Sequence, residues 1–119
     1  MLTSTCHCGS VQLEVPRRPR QLTSCNFSIC RRYGTLWAYY RAGDVRVICA
    51  RGATSSYAWG SRSIRFVRCK QCGCITHWEA VQRATTRRMG VNARNFEPSA
   101  IRSIRIRRLD GARTWKYLD

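Results

Sequence analysis

The chain has 119 residues, the length of a single domain, and we expect one domain over residues 1–119. It carries 22 Lys and Arg against 6 Asp and Glu, a formal net charge of +16, and it contains 8 cysteines. No apolar run approaches the roughly 20 residues needed to cross a bilayer, which excludes a membrane-spanning protein. The first residues lack the apolar segment of a signal peptide, so we expect a cytoplasmic location where thiols stay reduced.

Short alternating segments between glycine, proline and serine turns predict a mainly β chain. Val11, Leu13 and Val15 alternate with polar residues and predict the first strand. A helical turn is predicted from Ser28 to Arg32, and Asp110–Gly111 predicts a hairpin turn. Further strands are predicted at 36–41, 45–49, 55–59, 63–67, 75–81 and 89–93, and around 104–106.

Two cysteine pairs, each followed by glycine, have the spacing of zinc knuckles: Cys6 with Cys8, and Cys69 with Cys72. A tight turn places both sulfurs of a pair on one side of the backbone, and Gly73 lets the chain turn without a Cβ clash. The partners within a pair are too close in sequence to staple distant loops as disulfides. Because zinc prefers four tetrahedral ligands, we expect one structural zinc held by these four thiolates.

A second cluster, Cys25 and Cys30, has Cys-x4-Cys spacing, which by itself is a weak signal. A catalytic zinc usually has three protein ligands and one exchangeable position, whereas two thiolates leave the ion half open. The adjacent Arg31 and Arg32 would favour thiolates and attract anions. The alternative is a pair of packed cysteines at the mouth of a turn.

The cysteine motifs, taken together and in order, resemble the glutathione-dependent formaldehyde-activating enzyme family, whose domain the centromere protein V proteins share. The resemblance extends from Cys6 to about Leu109 and implies an Mss4-like fold of folded-over antiparallel sheets, with the four-cysteine zinc as its staple. It also implies a second zinc, held by a Cys-x-Cys-x-x-Cys motif. The matching segments are Cys6-His-Cys-Gly-Ser-Val, Cys25-Asn-x-Ser-Ile-Cys30-Arg-Arg-x-Gly34 and Arg68-Cys-Lys-Gln-Cys-Gly73.

The sequence departs from this family pattern at position 27, where phenylalanine replaces the middle cysteine of the second motif. Phe27 cannot coordinate zinc, so three thiolates become two. The candidate replacement ligands are Cys74, Cys49 and His77. We therefore expect one structural zinc, and the second zinc site lacks a complete ligand set.

The resemblance implies a carbon–sulfur lyase that adds glutathione, or a similar anionic thiol, to formaldehyde or another small aldehyde and catalyses the reverse. Cys25 and Cys30 are then the expected catalytic residues, and Arg31 and Arg32 the residues that bind the carboxylates of the thiol. The alternative is a family member that has kept the fold and lost the chemistry, serving as a zinc-stapled binding domain.

The excess of arginine raises nucleic acid as a further partner. The arginines are spread from Arg17 to Arg113, however, with no helix-turn-helix, RNP or finger signature. We therefore favour arginines on solvated strand faces over a nucleic-acid surface. His77 and Glu79 could form a catalytic acid–base pair. We favour the alternative, in which His77 satisfies a local hydrogen bond.

Overall fold

The computed structural model describes residues 1–82 and 87–119, and the strands in this part of the chain form two sheets. The smaller sheet has the order β1-β2-β5 and is antiparallel throughout. Its strands are β1 (Leu2–Thr5), β2 (Val11–Val15) and β5 (Arg46–Cys49). In β2 the apolar side chains are buried and the intervening ones are half-buried, as the alternation predicts.

The larger sheet has the order β10-β3-β4-β9-β8-β7-β6. Its strands are β3 (Gln21–Cys25), β4 (Trp37–Arg41), β6 (Thr54–Tyr57), β7 (Ile64–Cys69), β8 (Ile75–Ala80), β9 (Arg88–Asn92) and β10 (Arg105–Leu109). Neighbouring strands are antiparallel except β10 and β3, which run parallel and pair Leu109 with Cys25. The architecture is thus mixed at one edge, where purely antiparallel sheets were expected.

Helices are short in the described residues. Helix α1 (Ser28–Tyr33) follows β3, and α2 (Pro98–Ile101) precedes β10. Helix α1 ends at Gly34, whose left-handed backbone lets its amide donate to the Cys30 carbonyl at 3.0 Å. No helix in residues 1–82 or 87–119 has the length and apolar character to span a bilayer.

Two apolar clusters cover the two faces of the larger sheet. The first packs Val11, Leu13 and Val15 of the smaller sheet against β3, β4 and β9. The second contains Cys25, Cys30, Trp37, Phe66 and Ile75, and α1 packs against it. The cysteines of the second motif therefore lie on the face of the larger sheet opposite the intersheet core.

The mainly β fold predicted from the sequence is confirmed, and the predicted strands and helical turn match observed elements. The turn predicted at Asp110–Gly111 is also present, followed by an isolated bridge between Leu109 and Tyr117. Strands β1 and β3 and helix α2 were not predicted, because their sequences are short and lack a clear apolar period.

Candidate functional site

Four cysteine sulfurs converge where two hairpins meet. Cys6 and Cys8 lie in the turn between β1 and β2, while Cys69 ends β7 and Cys72 lies in the turn before β8. Their sulfurs all lie within 4.8 Å of one another, and this is the only set of three or more possible metal ligands in the described part of the chain. The group therefore joins the smaller sheet to the larger one, as the sequence predicts.

The spacing of these sulfurs fits a tetrahedral metal ion. The Cys6 and Cys8 sulfurs are 3.7 Å apart, and those of Cys8 and Cys69 are 3.6 Å apart. A zinc–sulfur distance of about 2.3 Å in a tetrahedron requires sulfurs about 3.8 Å apart. A disulfide would require sulfurs about 2 Å apart, so these are free thiols at a spacing that could hold a metal ion.

Hydrogen-bond donors face several of these sulfurs, although burial raises the pKa of the Cys6 thiol. The Val11 amide donates to Cys6 Sγ at 3.3 Å, and the Ser10 hydroxyl lies 3.0 Å from Cys8 Sγ and 3.1 Å from Cys69 Sγ. Backbone amides lower the pKa of the Cys72 thiol to about 5, and the amide of Cys74 contributes most. Four ligands fill a tetrahedron, so a metal held here has no position for a substrate.

Cys25 and Cys30 come together at a second place, on the other face of the larger sheet. Cys25 ends β3 and Cys30 lies in α1, and both are more than nine-tenths buried. The hydrogen bond with the Cys30 thiol contributes most to lowering the pKa of Cys25 to about 6. The backbone amides of Phe27 and Gly111 lower it further. The same contact between the two thiols raises the pKa of Cys30, so Cys25 is the more acidic thiol of the pair.

The parallel pairing of β10 with β3 brings the chain after β10 against Cys25. The Asn26 amide donates to the Leu109 carbonyl at 3.2 Å, and the Asn26 side chain donates to Asp110 Oδ1 at 3.0 Å and accepts from the Ala112 amide at 2.9 Å. These bonds hold Gly111 against the sulfur. A Cβ at position 111 would lie only 2.5 Å from Cys25 Sγ.

Phe27 occupies the position between the two cysteines and turns into an aromatic cluster. Its ring stacks on Trp59 at a centroid distance of 5.5 Å and packs against Trp115 at 5.3 Å. Its backbone amide donates to Cys25 Sγ at 3.4 Å. Position 27 thus supplies an amide and an apolar ring to this site, but no metal ligand.

None of the three candidate replacement ligands joins Cys25 and Cys30. Cys49 is exposed on β5 and pairs with Val11 of the smaller sheet. Cys74 lies beside Cys72 at the four-cysteine group, and buried His77 contacts Glu79. Two thiols do not complete the coordination of a zinc ion, so the residues present do not fit the second zinc that the resemblance implies.

A cavity of about 420 Å³ opens onto Cys25 and Cys30. Its lining contains three arginines and no acidic residue, and it includes Ser24, Asn26, Arg31, Gly34, Thr35, Arg94, Arg108, Leu109 and Leu118. Arg31, predicted from the sequence, is among them. Arg32 is not, and its guanidinium donates to the Ser28 carbonyl at 2.9 Å. The site therefore suits a small anionic molecule that presents a reactive group to sulfur.

Thr35 adds an unpaired donor to this cavity. Its side chain is only 4% exposed, and its hydroxyl has no hydrogen-bond partner in residues 1–82 and 87–119. A buried hydroxyl without a partner costs free energy unless a ligand supplies one. Thr35, Arg94, Arg108 and Gly111 were not identified from the sequence, because each is brought to the cavity by tertiary structure and lies in no motif.

His77 and Glu79 lie away from this cavity, in a separate charged network. His77 Nε2 is 2.7 Å from Glu79 Oε1, and Arg65 donates to Glu79 Oε2 at 2.9 and 2.6 Å. His77 and then Arg65 lower the pKa of Glu79 to about 2. This pair lines a cavity between β6, β7 and β8 and does not contact Cys25.

Comparison with known proteins gives one family match and a structural neighbour. The model of a family described as glutathione-dependent formaldehyde-activating enzyme matches residues 1–106. The chain is also similar to a crystal structure of a Rhodobacter sphaeroides protein, with 28% sequence identity and a TM-score of 0.72 over 88% of this chain and 99% of that chain. No curated protein matches the chain.

Proposed function

Because the chain belongs to the glutathione-dependent formaldehyde-activating enzyme family, we propose that it is a carbon–sulfur lyase joining glutathione, or a related anionic thiol, to formaldehyde or another small aldehyde. The observation that carries this proposal is the arginine-lined cavity in which Cys25, Cys30 and Thr35 meet. The net reaction adds a thiol across a carbonyl group, forms one carbon–sulfur bond and moves one proton from sulfur to oxygen.

The arginines account for the choice of an anionic thiol. Glutathione carries two carboxylates, and guanidinium groups bind carboxylates through paired hydrogen bonds. The Arg31 guanidinium has no hydrogen bond or ion pair within the described residues, whereas Arg108 pairs with Asp119 at 3.1 Å and Arg94 donates to the Gly34 carbonyl. Arg31 is therefore the arginine that is free to bind the thiol.

Cys25 supplies the proton transfers, and Thr35 supplies a hydrogen bond to the reacting carbonyl. Cys25 as a thiolate takes the proton of the incoming thiol, whose sulfur then attacks the carbonyl carbon. The Thr35 hydroxyl donates a hydrogen bond to the carbonyl oxygen as negative charge develops there. Cys25 returns the proton to that oxygen, which leaves the site as it began.

The four-cysteine group has a separate role in this proposal. Zinc held there would contribute folding free energy by fixing the two hairpins to each other. Cys6, Cys8, Cys69 and Cys72 would form its complete ligand set, and the reaction would take place on the opposite face of the larger sheet.

Exchange spectroscopy by NMR tests the proposed reaction. Formaldehyde and glutathione are mixed with the reduced, zinc-replete protein, and the exchange between free aldehyde and its glutathione adduct is measured against buffer. We expect faster exchange with the protein, and a loss of that increase in Cys25→Ser. Exchange no faster than in buffer would overturn the proposal.

Phe27 favours a second candidate function, a zinc-stapled binding domain without this chemistry. It removes a ligand from the motif that the family uses for its second zinc. In that case the protein binds close to one zinc per chain and does not accelerate the exchange. Nucleic acid is the partner to test, because the chain carries a +16 charge, and its binding should weaken steeply with salt.

A further inference from the structure

Cys25 and Cys30 line the same cavity, pack in the same cluster and have different surroundings. The Cys25 sulfur accepts a hydrogen bond from the Phe27 amide at 3.4 Å, and the Cys30 thiol and the Gly111 amide also lower its pKa. Cys30 lies in α1 beside Trp37. Backbone amides therefore face the Cys25 sulfur, whereas the Cys30 sulfur has the Trp37 side chain beside it. Phe27, the residue between the two cysteines, packs its ring against Trp59 and Trp115.

We propose that Cys25 and Cys30 form a nucleophilic and resolving thiol pair that undergoes thiol–disulfide exchange with a small anionic disulfide. The class of thiol is that of the proposed function, but the exchange needs neither aldehyde nor metal. The disulfide of glutathione is the probe, because it has the size and the negative charge that the arginine-lined cavity suits.

The exchange has two balanced steps. The Cys25 thiolate attacks one sulfur of the disulfide, so that a bond forms between Cys25 and that sulfur and one glutathione thiolate leaves. Cys30 then loses its proton to the departing thiolate or to solvent and attacks Cys25 Sγ, which releases the second glutathione. The protein is oxidised to a Cys25–Cys30 disulfide, and the disulfide of glutathione is reduced to two molecules of glutathione.

The surroundings of the pair fit these roles. Amide donors stabilise Cys25 both as an attacking thiolate and as a leaving thiolate when the protein disulfide is reduced again. Burial of the two residues, at 8% and 7% exposure, restricts access to molecules that enter the cavity. Leu109 and Leu118 provide apolar surface for the carbon chain of the ligand, and Arg31 provides the cation.

The experiment uses the full chain, zinc-replete and reduced, in a Cys49→Ser background that removes the exposed thiol of β5. The protein is incubated with glutathione disulfide, remaining thiols are alkylated, and the peptides are mapped by mass spectrometry. We expect about two glutathione molecules released per chain and a Cys25–Cys30 disulfide. The Cys30→Ser variant should release about one and keep a mixed disulfide on Cys25.

Two arginine variants test recognition of the anion. Arg31→Ala should slow the reaction with glutathione disulfide several-fold and leave the reaction with uncharged hydroxyethyl disulfide unchanged. Arg32→Ala is the matched control, since Arg32 lies on the same helix and outside the cavity, and it should change neither rate. If Arg31→Ala slows both disulfides equally, the cavity does not select anions and that part of the proposal is wrong.

Other outcomes overturn the central step. A stable mixed disulfide at Cys25 in the wild type would show that Cys30 is not the resolving thiol. Modification confined to other cysteines would show that Cys25 and Cys30 are not a reactive pair. Protection of Cys25 and Cys30 by a second bound zinc would show the same. Peptide mapping of the wild-type protein gives these answers even if a variant fails to fold. Formaldehyde is absent, so the result is independent of the exchange measured for the lyase.

Discussion

Gly111 and Cys25 are so close that no side chain fits between them. A Cβ on Gly111 would lie 2.5 Å from Cys25 Sγ and 3.2 Å from the Phe27 Cβ, although the two positions are far apart in sequence. We expect Gly111→Ala to move the backbone amide away from the sulfur, to lower the melting temperature, and to slow alkylation of Cys25 by iodoacetamide near neutral pH. Overpacking of this kind costs about 1–3 kcal/mol.

Gly43→Ala is the control for this substitution. An added Cβ at Gly43 meets no atom within 4 Å, and its backbone is not left-handed. It should leave both the melting temperature and the alkylation rate near those of the wild type. Equal effects of the two substitutions would show that the contact between Gly111 and Cys25 has no special role.

The contrast between the two cysteine sites shows what the sequence predicts and what it does not. Cys6, Cys8, Cys69 and Cys72 could be grouped because each pair lies in a tight turn ending at a glycine, and Gly9 and Gly73 do have left-handed backbones. Cys25 and Cys30 were also identified from the sequence as a candidate site. Their partners Gly111, Arg94 and Thr35 were not, because the parallel pairing of β10 with β3 and the turn after α1 position them. Such long-range pairing leaves no local pattern in the sequence.

Removal of the metal should separate the two hairpins that the four cysteines connect. We expect the wild type to bind zinc at these four cysteines, and Cys69→Ser to lose it and to unfold at a much lower temperature, because Cys69 is fully buried and three ligands hold an ion less well. A strong chelator should have the same effect on the wild type. Zinc stoichiometry and thermal unfolding are the measurements.

Cys49→Ser is the matched control for the metal site, because this cysteine is exposed and lies outside the four-cysteine group. It should retain the zinc and the melting temperature of the wild type. A Cys69→Ser variant that keeps a full zinc complement would contradict the assignment of these ligands.

The network of Arg65, His77 and Glu79 should make stability depend on pH. The pKa of Glu79 falls from its ordinary value near 4.5 to about 2, chiefly through the hydrogen bond to His77. A lowered carboxyl pKa contributes stability above the unfolded value, and that contribution is lost as pH falls from about 4.5 toward 2. Glu79→Gln should therefore destabilise the protein near pH 7 by about 1–3 kcal/mol and should matter less at pH 3. Urea unfolding at both pH values measures the difference.

Glu14→Gln provides the comparison for Glu79. Glu14 pairs with Arg46 at 3.6 Å on the surface, where the Arg46 side chain is 76% exposed. Exposed pairs contribute only about 0–1 kcal/mol, so this substitution should change stability little at either pH. A Glu79→Gln variant that behaves like Glu14→Gln would show that the network adds no pH-dependent stability.

Restoring cysteine at position 27 should change the metal content of the protein. Phe27→Cys supplies a third thiol between Cys25 and Cys30, and three protein ligands with one exchangeable position are the usual set for a catalytic zinc. We expect zinc to rise from about one to about two ions per chain, measured by metal analysis of reduced protein. The substitution also removes the ring that packs against Trp59 and Trp115, so Phe27→Ser, which loses the ring without gaining a thiol, is the control. A second zinc in both variants, or in neither, would show that position 27 does not decide the occupancy of this site.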